Sequence, residues 1–231
     1  MKTIGLLGGM SWESTALYYK LINEEVKKQL GGLHSAKVVI YSVDFDEIEK
    51  LQHCGNWDET AKILSQASKN IQNASADFIV LCTNTMHKVL PQIQKNIEIP
   101  FLHIADATGK KLQEQEIEKV GLLGTAFTMK QEFYKERINK NFNIEVIIPN
   151  EEDINIVHKI IYEELCLGIV KENSKKEYLR IIDDLVSKGV QGVILGCTEI
   201  GMLIKNEDTK VKLFDTTHIH SLEAVKKALE N

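Results

Sequence analysis

Proline is scarce in this chain: Pro91, Pro100 and Pro149 are the only three in 231 residues, and no proline-rich linker or low-complexity segment interrupts it. Four cysteines, Cys54, Cys82, Cys166 and Cys197, are too few for a disulfide scaffold at this length. None forms a CxxC pair of the kind that holds structural zinc. No apolar run approaches the roughly 20 residues that a membrane-spanning helix needs. The start, Met1 to Met10, has one lysine and a short run broken by glycine, and reads as a strand rather than a signal peptide. Positive charge is in deficit, 28 Lys and Arg against 33 Asp and Glu, a formal net charge of −5. Phosphate binding needs a basic face, so nucleic acid is excluded as the main partner. A cytoplasmic protein with reduced thiols, partnered by neither nucleic acid nor membrane, is the expectation.

What is present is enough apolar side chain, 43% of residues, to bury a core without staples. The length suits one large α/β domain or two small ones. Short apolar runs predict strands over Thr3–Leu7, Lys37–Val43, Asp77–Cys82, Phe101–Ile104, Lys119–Leu123, Ile144–Ile148, Gly192–Leu195 and Lys212–Phe214. Amphipathic segments between them predict helices, among them Ser14–Gln29, Trp57–Ala74, Asp153–Leu167, Lys175–Lys188 and Thr217–Leu229. Apolar strands alternating with helices indicate an α/β fold with parallel sheet covered on both faces.

The chain also repeats itself. Gly5-Leu-Leu-Gly-Gly-Met10 returns 116 residues later as Gly121-Leu-Leu-Gly-Thr-Ala126, and Val80-Leu-Cys-Thr-Asn-Thr85 returns 114 residues later as Ile194-Leu-Gly-Cys-Thr-Glu199. Two motifs in the same order at nearly one offset predict two pseudo-symmetric, doubly wound halves. The first comprises residues 1–105 with 215–231, and the second residues 106–214. Their strand-end loops are expected around one cleft, where open α/β sheets bind ligands.

Gly8-Gly9-Met10-Ser11 links the first strand to a helix, a place for close backbone approach and for an anion at free N–H groups. The spacing is neither a dinucleotide fingerprint nor a P-loop, and a plain tight turn would look the same. Gly196-Cys197-Thr198-Glu199 ends a strand before a short helix. A helix N-terminus there would give Cys197 thiolate character, and Gly196 would let a ligand approach. The competing reading is a buried structural cysteine. Cys82-Thr83-Asn84-Thr85 ends the matching strand, with neutral donors and acceptors suited to an amino-acid carboxylate or amine, or simply to a helix cap. Aligning the repeats sets Thr83, not Cys82, opposite Cys197, and leaves Cys82 pointing to the other face. His87, His103, His218 and His220 match no metal-site spacing, and Trp12 and Trp57 read as packing residues. Cys54 and Cys166 read as bystanders.

GLLGGMSWEST (5–15), LCTNTMH (81–87), HIADAT (103–108), EELCLG (163–168) and GCTEI (196–200) together resemble the aspartate/glutamate racemase family along essentially the whole chain. The resemblance is closest to the bacterial branch specific for L-aspartate and L-glutamate. It implies two pseudo-symmetric α/β halves with the active site between them, racemisation of a small amino acid without a cofactor or metal, and a homodimer. It also implies two acid–base groups on opposite faces of the substrate Cα, one removing the α-proton and one returning a proton. Cys197 matches the second-half cysteine, the base for the L-enantiomer. Where the family usually has cysteine directly before Asn84, this sequence has Thr83. A threonine hydroxyl is a weaker acid than a thiol, so a Thr83/Cys197 pair is expected to be slow.

Carbanion formation next to a carboxylate needs fixed hydrogen bonds. Gly9, Met10, Ser11, Asn84, Thr85, Thr125 and Thr198 are the candidates for that shell, and Glu199 is a further candidate substrate contact. Many aspartate racemases carry an arginine after the second strand and a lysine near the segment equivalent to EELCLG. Here Asp44–Thr60 holds no arginine and Cys166 stands at the lysine's place, so Gln52 is the substitute contact for the substrate side chain. Two other readings stay open. One is a one-cysteine decarboxylase or isomerase acting on a diacid. The other is an amino-acid-binding protein with vestigial activity.

Overall fold

The computed structural model describes residues 1–230 and divides into two units, Met1–Ile104 with the chain from His220 on, and Ala105–Ile219. The changeover near the C-terminus falls inside the last helix, after Ile219.

The first unit runs β1 (Ile4–Gly8), α1 (Trp12–Leu30), β2 (Val38–Ser42), α2 (Phe45–His53), α3 (Trp57–Asn73), β3 (Phe78–Leu81), a 3₁₀ turn (Thr85–Lys88), α4 (Leu90–Gln94) and β4 (Phe101–Leu102). The linking helix α5 (Ile104–Glu114) follows. The second unit runs β5 (Lys119–Gly124), α6 (Ala126–Lys130), α7 (Glu132–Phe142), β6 (Glu145–Ile147), α8 (Glu151–Glu163), a 3₁₀ turn (Leu165–Leu167), α9 (Glu172–Ser187), β7 (Gly192–Gly196), α10 (Ile200–Leu203) and β8 (Lys212–Asp215). Helix α11 (Thr216–Leu229) closes the described chain.

Each unit holds one four-stranded, all-parallel sheet, ordered β2-β1-β3-β4 in the first and β6-β5-β7-β8 in the second. The sequence repeat is thus a repeat of topology. All eight predicted strands form, with ends moved by a residue or two. The central strands β1, β3 and β7 are buried along their whole length and β5 from its second residue, which is why they read as continuous apolar runs.

In the first unit, side-chain alternation sorts the strands between two cores. Leu7, Ile79 and Leu81 pack with Ile48 of α2 and with Leu64 and Ile71 of α3. On the other face Ile4, Leu6, Phe78, Val80 and Cys82 pack with Tyr18, Ile22 and Val26 of α1 and with Ala224, Val225 and Ala228 of α11. Local signals fix the helix starts. Ser11, Asn56 and Asn150 accept backbone N–H bonds as N-caps of α1, α3 and α8, and Asp58, Glu59, Glu151, Glu152 and Asp153 place negative charge in first turns.

Two expectations are corrected. The single helix predicted over Asp153–Leu167 breaks: α8 ends at Glu163, Glu164 leaves helical geometry, and a 3₁₀ turn carrying Cys166 ends at left-handed Gly168. Trp12 is not a packing residue, because it starts α1 on the solvent side and is 67% exposed. Trp57 does pack, against the α2–α3 core, and Lys88 Nζ sits 3.7 Å above its ring.

Candidate active site

In a parallel sheet whose strand order reverses, ligands bind at the carboxyl ends of the strands flanking the reversal. Both sheets reverse between their two central strands, at β1/β3 and at β5/β7. The motifs singled out from the sequence occupy these two places.

At β1/β3, Leu7 pairs with Leu81, so the Gly8–Ser11 and Cys82–Thr85 loops leave neighbouring strand ends. Gly9 has φ of +95°, and a Cβ there would lie 2.2 Å from the Val43 carbonyl oxygen, so the loop requires glycine. Thr15 ties the loop together: its Oγ1 accepts from Gly9 N at 2.8 Å and donates to the Ser11 carbonyl at 3.0 Å. Ser14 Oγ donates to the Cys82 carbonyl at 3.2 Å, joining the two loops. Met10 sends its side chain into the α2–α3 core, which leaves its backbone as its means of meeting a ligand. The Ser11 hydroxyl caps α1, accepting from Ser14 N at 3.3 Å. Gln52 lies in the last turn of α2 and is buried. Asn84 and Thr85 are buried where the 3₁₀ turn starts.

Cys82 ends the Phe78–Val80–Cys82 alternation. Its thiol lies in the α1–α11 core, donating to the Val80 carbonyl at 3.6 Å, and burial pushes its pKa far up. A thiol held in that state has no thiolate chemistry near neutral pH. Thr83 is half-buried; its N–H donates to the Leu81 carbonyl at 2.9 Å.

At β5/β7, Gly124 pairs with Gly196, so the Thr125 and Cys197 loops are neighbours. Thr125 caps α6, its Oγ1 accepting from Thr128 N at 3.3 Å. His158 holds the same loop, accepting from Ala126 N at 3.2 Å. Cys197, Thr198 and Glu199 form one cluster. Cys197 Sγ donates to Glu199 Oε2 at 2.9 Å, and Thr198 Oγ1 donates to the same oxygen at 2.6 Å.

This arrangement corrects two sequence expectations. Helix α10 is a single turn that begins after Glu199, and the thiolate character expected of Cys197 there is not found. Burial, and then the Glu199 charge, push the Cys197 thiol well above its ordinary range. Cys197 therefore rests as a neutral thiol bonded to a carboxylate. Gly196, read as room for a ligand, is required by the sheet, since a Cβ would meet the Leu123 carbonyl at 2.9 Å.

Sequence reasoning missed the residues that hold these loops, Thr15, Ser14, His87 and His158. Apart from the cap-like Ser and Thr after Gly8-Gly9, no local signal marks them: the Cys82 carbonyl, the Ile104 N–H and the Ala126 N–H that Ser14, His87 and His158 meet lie far along the chain.

Two α/β units, each built on a four-stranded parallel sheet with a sequence motif at its topological switch point, define the fold class. The Asp/Glu/hydantoin racemase profile matches residues 7–224, and the chain belongs to that family. Bacillus subtilis RacX, a broad specificity amino-acid racemase, is 21% identical over 226 residues, covering 93% of this chain and 92% of RacX. Among solved structures, a candidate Asp/Glu racemase from Yersinia pestis is 53% identical with a TM-score of 0.93, over the full length of both chains. PH1733, an aspartate racemase homologue from Pyrococcus horikoshii, is 35% identical with a TM-score of 0.84, again over both full lengths. Family membership makes racemisation of a small amino acid the class of activity. No helix among the described residues is long and apolar enough to cross a membrane.

Proposed function

We propose that this protein is a cofactor-independent racemase of aspartate and glutamate in which Cys197 works on the L face of Cα and Thr83 on the opposite face. The observation that carries the reading is the Cys197–Glu199 hydrogen bond at the end of β7. A neutral thiol is a poor base, but this one has an acceptor for its proton already in place. As substrate binds, the thiol proton passes to Glu199 Oε2 and the sulfur becomes a thiolate. The thiolate takes the α-proton of the L-substrate, and the electron pair left on Cα delocalises into the substrate carboxylate. Thr198, Thr125, Asn84, Thr85 and the Gly9–Ser11 backbone supply the fixed dipoles that this charge needs. Return of a proton from the Thr83 hydroxyl on the other face completes inversion; solvent water reprotonates the Thr83 alkoxide, and Glu199 gives up to water the proton it took from Cys197. Gln52 meets the substrate side chain.

The two faces are unequal. A hydroxyl gives up its proton far less readily than a thiol, so return from Cys197 outpaces inversion through Thr83. Enantiomers have equal free energy, so kcat/KM for racemisation is equal in both directions. The asymmetry therefore shows only as solvent exchange: the α-hydrogen of the L-substrate washes out faster than chirality is lost.

The burial of Cys82 favours a second reading in which the single working cysteine protonates a carbanion formed from a diacid that lacks an amine. One experiment separates the readings. Proton NMR of L-aspartate and L-glutamate in D₂O, run beside chiral chromatography, is expected to show loss of the Cα–H signal with slower growth of the D-enantiomer. Inert amino acids together with turnover of a substituted malonate or maleate would overturn the racemase reading in favour of the diacid enzyme. Binding of L-aspartate with neither exchange nor turnover would leave a binding protein.

A further inference from the structure

We propose that His87 is a positioning residue for the reaction: its imidazole fixes the strand-end loop that carries Thr83. This rests on the racemase reading above, in which Thr83 returns the second proton.

The β3–β4 ladder is short, ending at the Val80–Leu102 pair. Beyond it His87 stands between the Thr83 carbonyl and the Ile104 N–H. His87 Nδ1 is 2.8 Å from the Thr83 carbonyl, and Ile104 N donates to His87 Nε2 at 3.2 Å. The two contacts determine the ring's state. A backbone N–H only donates, so Nε2 carries the lone pair. A carbonyl only accepts, so Nδ1 carries the proton. His87 is thus a neutral Nδ1–H tautomer bridging two strand ends where backbone pairing stops.

The ring itself is clamped. His87 is 2% exposed and lies against His103 with ring centroids 4.5 Å apart. A second imidazole, His220, lies 6.2 Å away on its other contact and is held in the opposite tautomer. Its Nε2 donates to the Leu102 carbonyl at 2.9 Å and its Nδ1 accepts from the Tyr18 hydroxyl at 2.9 Å. Thr83 N is separately bonded to the Leu81 carbonyl. Both backbone polar groups of Thr83 are thereby committed, which fixes the main chain that carries its hydroxyl. A loop displaced by about 1 Å can lose a hundredfold in rate, so this bridge acts on turnover rather than binding.

The test uses two amide variants that each keep one half of the bridge. The Asn amide nitrogen falls near imidazole Nδ1, so His87→Asn keeps the donor to the Thr83 carbonyl. The Gln side chain reaches the Nε2 position, so His87→Gln loses that donor. Exchange and inversion are measured separately in D₂O. In His87→Gln, inversion is expected to fall at least tenfold with KM within twofold, while exchange on the L-substrate stays within twofold of wild type. In His87→Asn, inversion is expected within threefold of wild type.

Equal losses in the two variants, or exchange and inversion falling by one factor, would show a structural role and overturn the proposal. So would exchange in the wild type with no inversion, because Thr83 would then return no proton. Should either variant fail to fold, the ¹⁵N shifts of His87 in the wild type decide: the Nδ1–H tautomer supports the bridge, and the Nε2–H tautomer removes it. A wild type inert toward every amino acid refutes the racemase reading, while the ¹⁵N measurement still tests the bridge itself.

Discussion

The Cys197 thiol points its proton at the Glu199 carboxylate, Sγ to Oε2 2.9 Å, and Thr198 Oγ1 donates to the same oxygen at 2.6 Å. The carboxylate therefore has two opposed effects. Its charge holds the thiol proton on, and its lone pair gives that proton somewhere to go. Glu199→Gln separates them. Removing the charge lowers the thiol pKa, so the midpoint of pH-dependent alkylation by iodoacetamide moves down. Removing the acceptor lowers kcat by about a hundredfold, the size of a general acid–base contribution. A variant with a lower thiol pKa and an unchanged kcat would show that Glu199 takes no proton.

Thr83→Cys tests the weak half of the proposed pair. A thiol in place of the hydroxyl is expected to raise inversion relative to exchange about tenfold or more, since proton return on that face becomes easier. Cys82→Ala is the control. Its thiol is buried in the α1–α11 core, so the change should leave inversion within about twofold and destabilise the fold by about 1–2 kcal/mol. Loss of activity in Cys82→Ala with unchanged stability would reassign the second acid to Cys82.

The strands and the two-sheet repeat were legible because burial on both faces makes apolar runs, and because matched motifs at offsets of 116 and 114 residues mark one unit used twice. The orientation of Cys82 was legible for the same reason, period-2 alternation from Phe78 through Val80. The state of Cys197 was not. A Cys-Thr-Glu run before a helix suggests a thiolate at a positive helix end. Whether the Glu side chain folds back onto the sulfur is a rotamer choice that spacing does not encode. Nor does the sequence announce that His87 will bridge Thr83 and Ile104, since that contact exists only once β4 lies beside β3.

The Gly8–Gly9 turn gives a stability prediction with an internal control. A Cβ on Gly9 would sit 2.2 Å from Val43 O and 2.5 Å from Val43 N, at a φ of +95°. Backbone strain of about 1–3 kcal/mol then adds to a clash with main chain that has nowhere to move, so Gly9→Ala is expected to cost about 3 kcal/mol or more. Gly32 also has positive φ, +56°, but no atom lies within 4 Å of a Cβ there. Gly32→Ala should cost only about 1 kcal/mol. Urea denaturation of both variants measures the difference, and equal costs would mean that φ alone, not the Val43 contact, makes glycine necessary at position 9.

The buried imidazole of His220 makes the first unit acid-sensitive. Desolvation lowers its pKa from 6.5 to about 4, only partly offset by the bond to the Leu102 carbonyl. The folded chain therefore binds this proton less well than the unfolded chain does. Acidification favours unfolding: the contribution to stability is fully present above pH 6.5 and is lost as pH falls toward 4. At about 1.4 kcal/mol per pH unit, the whole window amounts to about 3 kcal/mol, and the part between pH 7 and pH 5 to about 2 kcal/mol. Protonation also places an N–H on Nδ1, where the ring now accepts from Tyr18, so that hydrogen bond must reverse its direction. His220→Gln removes the titration while keeping a donor near the Leu102 carbonyl. It is expected to be less stable than wild type at pH 7, yet to lose about 2 kcal/mol less on going to pH 5. Urea unfolding at the two pH values gives both numbers for both proteins. The same loss in variant and wild type would place the acid sensitivity elsewhere in the chain.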